Sequence, residues 1–178
     1  MFVYVSNRPS LDLLGTLKWR RDRPEEQLHS PADVESWTRG SSLGLTVQAD
    51  PAALERVRQV RECLYRVMTA VRGADRPLPE ADVALLNELA AAPGPRLELA
   101  ADGRVTRTGT IEQSLAALVR DALDLMAGPD LDRVKDCAND RCTRLYLDVS
   151  RAGSRRWCGM SECGNAAKVN AFRARHRT

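Results

Sequence analysis

Four of the five cysteines fall in the last third of the chain, spaced Cys137-x4-Cys142-x15-Cys158-x4-Cys163, and no other feature limits the fold as tightly. Two close pairs joined by a medium loop build a tetrahedral metal site. Each pair closes a knuckle on one side of the ion, and the loop carries the chain across to the other. Four thiolates suit Zn²⁺, a borderline-soft ion with no geometric preference of its own. An iron–sulfur cluster also takes four cysteines, but nothing here has ferredoxin-type spacing. With four protein ligands the expected site holds one zinc, closed and structural, because a catalytic zinc keeps a position for water. The odd cysteine count argues against a disulfide set, and so does the reducing cytoplasm expected here: MFVYVSNRPSLDLLG lacks the basic start and long apolar stretch of a secretory signal.

The two pairs sit in different local sequence. VKDCANDRCTRLYLD predicts a knuckle inside a β-hairpin, with Asn139-Asp140 at the turn and Leu145 and Leu147 alternating after it. RRWCGMSECGNAAKVNAFRARHRT predicts a second knuckle that runs into a helix from about Cys163, capped by Ser161 or Gly164. A thiolate in the first turn of a helix is stabilised by the unpaired N–H groups there. Hairpin followed by helix is the layout of a treble clef or a related zinc ribbon. So short a segment buries too little to fold alone, so the metal is expected to supply folding free energy, with Tyr146, Trp157 and Phe172 as a small core beside it.

Charge is distributed unevenly. Residues 133–178 carry eleven Lys and Arg against four acids, a net +7, which leaves −4 on residues 1–132. A basic end on an acidic body points to nucleic acid. Arg155 and Arg156 precede the second knuckle, and Lys168, Arg173, Arg175 and Arg177 lie on or beyond the last helix. These six are the expected contacts to double-stranded DNA, with the helix lying in or along a groove.

The body reads as mainly helical with one hairpin, an α+β chain. Ser30-Pro31 and Asp50-Pro51 are start signals for helices ending near Gly40 and Gly73. After Asp50, Leu54, Val57, Val60, Leu64, Val67, Met68 and Val71 recur at spacings of three and four, one apolar stripe. Cys63 lies near that stripe and reads as a buried side chain. A further helix begins at Leu78-Pro79-Glu80 and ends before Pro93. Leu97 and Leu99 alternate with polar neighbours ahead of Asp102-Gly103, a hairpin turn, with Val105 after it. Thr110-x-x-Gln113 is a capping box for a helix that Gly128-Pro129 stops, which sets the expected domains at 1–129 and 130–178. Leu11–Trp19 reads as a short helix or extended segment. No run approaches the ~20 apolar residues of a membrane span.

C-x4-C, the run Leu145-Tyr146-Leu147-Asp148-x-Ser150, then Arg155-Arg156-Trp157-Cys158, and Cys163-Gly164-Asn165 followed by Lys168 resemble the CGNR zinc-finger family over about 133–177. The arginine that names the motif is Ala166 here. Leu11-Asp12-Leu13, Thr16, Trp19-Arg20, Ser30-Pro31-Ala32-Asp33, Trp37 and Gly44-Leu45 are similar to the opening of the ABATE domain that usually precedes this finger, with Gly15 where that family tends to carry Asn. The resemblance implies a stress-induced transcription regulator.

Two functions follow as expectations. One is a zinc-containing DNA-binding transcription regulator whose helical domain senses a small-molecule effector or mediates homodimerisation. The other is a small-molecule-binding or catalytic protein of a bacterial biosynthetic pathway, with the finger only structural and a pocket at Asp12, Thr16, Trp19 and Arg20. Catalytic signals are sparse: there is no Gly-rich phosphate loop, no G-x-S-x-G and no histidine pair at metal spacing, only His29 and His176.

Overall fold

The structure, a computed structural model, describes residues 2–73 and 77–175. Helix starts follow the local chemistry. α2 (Pro31–Gly40) begins at a reciprocal capping box between Ser30 and Asp33, and α5 (Ile111–Ala127) at one between Thr110 and Gln113. At α3 (Pro51–Arg72) the Asp50 carboxylate accepts the Ala53 N–H at 2.7 Å. α4 (Glu80–Ala91) completes the larger helices. The expected α3 stripe is buried from Leu54 to Met68, and Cys63 with it. Burial pushes the Cys63 thiol up to about 12, so it is an inert core group.

The Leu11–Trp19 segment resolves into a short helix, α1 (Pro9–Leu14), and the strand β1 (Leu17–Lys18), which pairs antiparallel with β2 (Glu25–Glu26). α1 is buried over five of its six residues and sits against α3, α5 and the zinc-module strand β6 (Leu145–Leu147). α3, α4 and α5 pack on one another, and α2 packs on α3. β3 (Arg96–Leu99) and β4 (Val105–Thr108) form the expected hairpin, with Gly103 at φ 82°, left-handed backbone that suits glycine. It covers no core: all eight strand residues are exposed.

One charged side chain is sunk into the body. Arg61, 2% exposed, makes two 2.6 Å bonds to Glu26, one of 2.7 Å to Glu62 and one of 3.1 Å to Thr16. Pairing on every side is what makes a buried guanidinium tolerable.

β5 (Val134–Asp136) pairs with β6 in register Val134↔Leu147. Val134, Leu145 and Leu147 belong to the same hydrophobic cluster as the helices. The N-terminal segment ties in beside them: Leu147 N–H donates to the Ser6 carbonyl at 2.9 Å, and Asn7 Nδ2 to the Leu147 carbonyl at 2.8 Å. A π-helical turn (Met160–Gly164) then leads into α6 (Asn165–Arg175), whose substantial packing, among the described residues, is against that turn.

Candidate metal centre

The first knuckle leaves β5. Cys142 N–H closes the turn on the Asn139 carbonyl at 2.7 Å, and the Asn139 side-chain oxygen accepts the Arg141 N–H at 3.2 Å. The second knuckle is stitched to the first by the Ala138 N–H and the Arg156 carbonyl, 2.8 Å apart. Cys163 lies within the π turn. There the Gly164 N–H reaches the Gly159 carbonyl at 2.9 Å, and a Cβ on Gly164 would stand 2.5 Å from Met160 Sδ.

The four sulfurs of Cys137, Cys142, Cys158 and Cys163 converge within 4.8 Å of one another. Cys142 and Cys158 Sγ are 3.8 Å apart. A tetrahedron of ~2.3 Å zinc–sulfur bonds has edges of about 3.75 Å, whereas a disulfide would bring two sulfurs to ~2.05 Å. The donor set thus fits one zinc ion, held as a structural cross-link with no open position. Two donors support thiolate charge from outside the set: the Cys158 N–H on Cys137 Sγ at 3.4 Å, and Asn139 Nδ2 on Cys163 Sγ at 3.5 Å.

Buried polar groups brace the module. Tyr146, 0% exposed, donates its hydroxyl to the Arg155 carbonyl at 2.7 Å, and burial pushes its phenol up to about 12. Asp148 is also 0% exposed. It accepts Lys135 Nζ at 2.7 Å, Ser150 Oγ at 2.6 Å and the Arg155 N–H at 3.0 Å, which hold its carboxyl well below the usual range. The run Asp148-x-Ser150 is therefore a loop anchor. Trp157 joins the small cluster beside the cysteines, whereas Phe172, expected there, is 56% exposed because α6 leaves the module.

The basic residues divide. Arg155, expected to meet phosphate, is bound to its own protein: Nη2 donates to the Val5 carbonyl at 2.7 Å and to that of Cys158, Nε to the Trp157 carbonyl at 2.9 Å, and the guanidinium lies over Tyr146, 4.2 Å from the ring centroid. Arg156, Lys168 and Arg173 are exposed, as are Arg141 and Arg151 beside the knuckles. The side chain of Arg175, with His176 and Arg177, lies outside the described residues.

The four residues expected to form a pocket act as ties. Asp12 accepts the Val5 and Ser6 N–H groups at 3.0 and 2.9 Å, and Thr16 donates to the Leu13 carbonyl at 2.7 Å. Arg20 makes two 3.1 Å bonds to Glu62 and stacks on Tyr65, while its N–H reaches Thr143 Oγ1 at 3.2 Å. Trp19 takes left-handed backbone, φ 54°, and packs against the cysteine cluster, with the Arg141 guanidinium 5.8 Å from its ring centroid. The gap bounded by Gly15, Trp19, Cys142 and Arg144 measures about 10 Å³, too small for a ligand.

Sequence reasoning missed two contributors. Asn139 had shown only as a turn residue. Arg144, 5% exposed, lies on Gly15: its Nη2 donates to the Gly15 carbonyl at 3.3 Å, and a Cβ there would stand 2.8 Å from its Nε. The only signal for that contact was Gly15 itself, standing where the related pattern carries Asn.

Comparison with family models agrees with this geometry. Residues 7–129 match the ABATE model, described as "Putative stress-induced transcription regulator", and residues 133–176 match the CGNR zinc finger. No curated protein matches the chain. With the first model covering more than half of the sequence and four cysteines converging inside the second match, the chain belongs to the ABATE family and carries a CGNR zinc finger with one structural zinc site.

Proposed function

We propose that the protein is a cytoplasmic transcription regulator that binds double-stranded DNA through its zinc module. The observation that carries this reading is α6. It is anchored at one end by the cysteine cluster, packs substantially, among the described residues, only on the turn before it, and exposes Lys168 and Arg173. A rigidly based helix with free basic side chains can lie in or along a groove while cations beside the knuckles meet the backbone. Arg156, Lys168, Arg173 and the tail Arg175 and Arg177 are the proposed DNA contacts, joined by Arg151; Arg155 is a brace, and Arg141 is held by Asp22 at 2.6 Å. In this reading Cys137, Cys142, Cys158 and Cys163 are the zinc ligands, and the chain divides by role at 129/130, sensing and assembly before it and DNA contact after it. A small effector is expected in an open cleft of about 880 Å³ lined by Phe2, Tyr4, Glu25, His29 and Asp33. Among the described residues no helix is long and apolar enough to cross a membrane.

The test is binding of the zinc-loaded chain to mixed-sequence duplex at several salt concentrations. Affinity should fall steeply with salt, and R156A with K168A should flatten the log–log slope by about 2. Affinity independent of salt, or no binding even at low salt, overturns the proposal.

A further inference from the structure

The β3–β4 hairpin is an arm. Leu97, Leu99 and Val105 are 60%, 72% and 63% exposed. With Leu99 paired to Val105 across the strands, all three share one face of the ribbon. The root is held by the Thr46–Thr108 bridge on the β4 side and by the Arg107 guanidinium, which donates to the Leu43 carbonyl at 2.5 Å. β3 has only β4 as a strand neighbour, so among the described residues its outer edge is open. A lone hairpin of this kind is marginal in water, and an exposed apolar edge strand is one that proteins pair or cover.

Backbone alternation fixes which groups face that edge. Ala100 N–H donates to the Arg104 carbonyl at 2.8 Å, which makes 100 and 104 a hydrogen-bonded pair. Counting back along the register, Glu98 and Arg96 are also bonded to β4, through Thr106 and Thr108. The N–H and C=O groups of Leu97 and Leu99 therefore point outward.

We propose that this edge docks a second copy of the chain, β3 against β3, antiparallel about a two-fold axis at Leu97. The sequence around that axis is self-complementary. Leu97 meets its own copy and exchanges both backbone bonds with it, and each Leu99 N–H faces the carbonyl of the partner's Pro95. On the opposite face Arg96 stands across from the partner's Glu98, and Glu98 across from the partner's Arg96. The neighbouring register, centred on Glu98, offers the same number of backbone bonds but sets the two Glu98 carboxylates against each other, and like charges directly opposite are destabilising. The paired form is a four-stranded antiparallel sheet whose leucines run continuously from one copy to the other. This inference stands on the body alone and does not depend on DNA binding.

Sedimentation velocity on the zinc-loaded full chain over a wide micromolar range tests it. The wild type is expected to dimerise. R96E alone or E98R alone should weaken the dimer at least about tenfold, since each turns both cross-strand pairs repulsive, and the double swap R96E/E98R should restore it. L97P removes one outward N–H without touching a β4 bond and should also give monomer. All these residues are exposed, so circular dichroism and zinc content should be unchanged. A wild-type monomer throughout the range overturns the proposal, whether or not another protein adds a strand to the edge. So does a dimer indifferent to R96E and L97P, or a double swap that fails to restore association.

Discussion

Replacing Arg155 by Met separates a structural arginine from one that meets DNA. The guanidinium donates to three carbonyls, those of Val5, Trp157 and Cys158, and covers the Tyr146 ring. Hydrogen bonds from a charged donor contribute ~1.5 kcal/mol each at the low end, and a cation over an aromatic face ~0.5–1 kcal/mol at a partly exposed site. Arg155 is only half-buried, and Met refills part of its stem, so the loss should be about 3 kcal/mol rather than the full sum. For a chain of this size that lowers Tm by about 6–12 °C. Urea unfolding of the zinc-loaded chain, followed by tryptophan fluorescence, reads the stability. Duplex binding against salt reads the other role, and its slope should not change. An unmoved urea midpoint together with a slope flattened by about 1 would mean that Arg155 meets phosphate, and the bracing argument would fail.

G15A should cost about 1–3 kcal/mol, measured as a lowered urea midpoint, because its Cβ would stand 2.8 Å from Arg144 Nε and 3.2 Å from the Asp12 carbonyl in a packed place. Burial works against the charge of Glu26, but the Arg61 guanidinium outweighs it and holds the carboxyl below its usual range. Its contribution is thus present above the unfolded value, ~4.3, and lost as pH falls through the lower folded one; E26Q should flatten the acid limb of stability against pH. Chelation should release one zinc per chain by a colorimetric metal assay and change the fluorescence of Trp19 and Trp157, both packed beside the cysteines. Ala166 is exposed at the start of α6, so A166R should leave stability within ~0.5 kcal/mol and steepen the salt slope of duplex binding by about 1.

What could be read in the sequence was local or periodic. The cysteine spacing gave the metal site because both knuckles close within a few residues, and the α3 stripe gave a buried helix face because its period is set by helix geometry alone. Capping boxes at Ser30 and Thr110 likewise involve residues three apart. What was not legible concerns partners far away in the chain. The Val5 carbonyl that Arg155 holds is 150 residues distant and leaves no mark near the arginine. Leu97 and Leu99 alternate as a half-buried strand should, but alternation says which side chains share a face and not what covers them. Asp12, Thr16 and Arg20 form a polar constellation, and its bonds run to groups of the protein itself: Val5 and Ser6, Leu13, and Glu62.

These distant contacts change what the zinc does. A finger on a linker would gain its own folding free energy from the metal and leave the rest of the chain untouched. Here β5 and β6 lend Val134, Leu145 and Leu147 to the body's core, Arg144 lies on Gly15, Thr143 holds the Arg20 backbone, and Arg155 holds Val5. Loss of the ion frees the loop that carries Arg155 and the knuckle that carries Thr143, so contacts of the body weaken with those of the finger. Metal binding to such a unit stabilises everything that unfolds together with it. The body should therefore melt earlier without zinc, in one transition shared with the module, and a metal-free chain whose helices melt at the unchanged temperature would show that the contacts across the two segments carry little free energy.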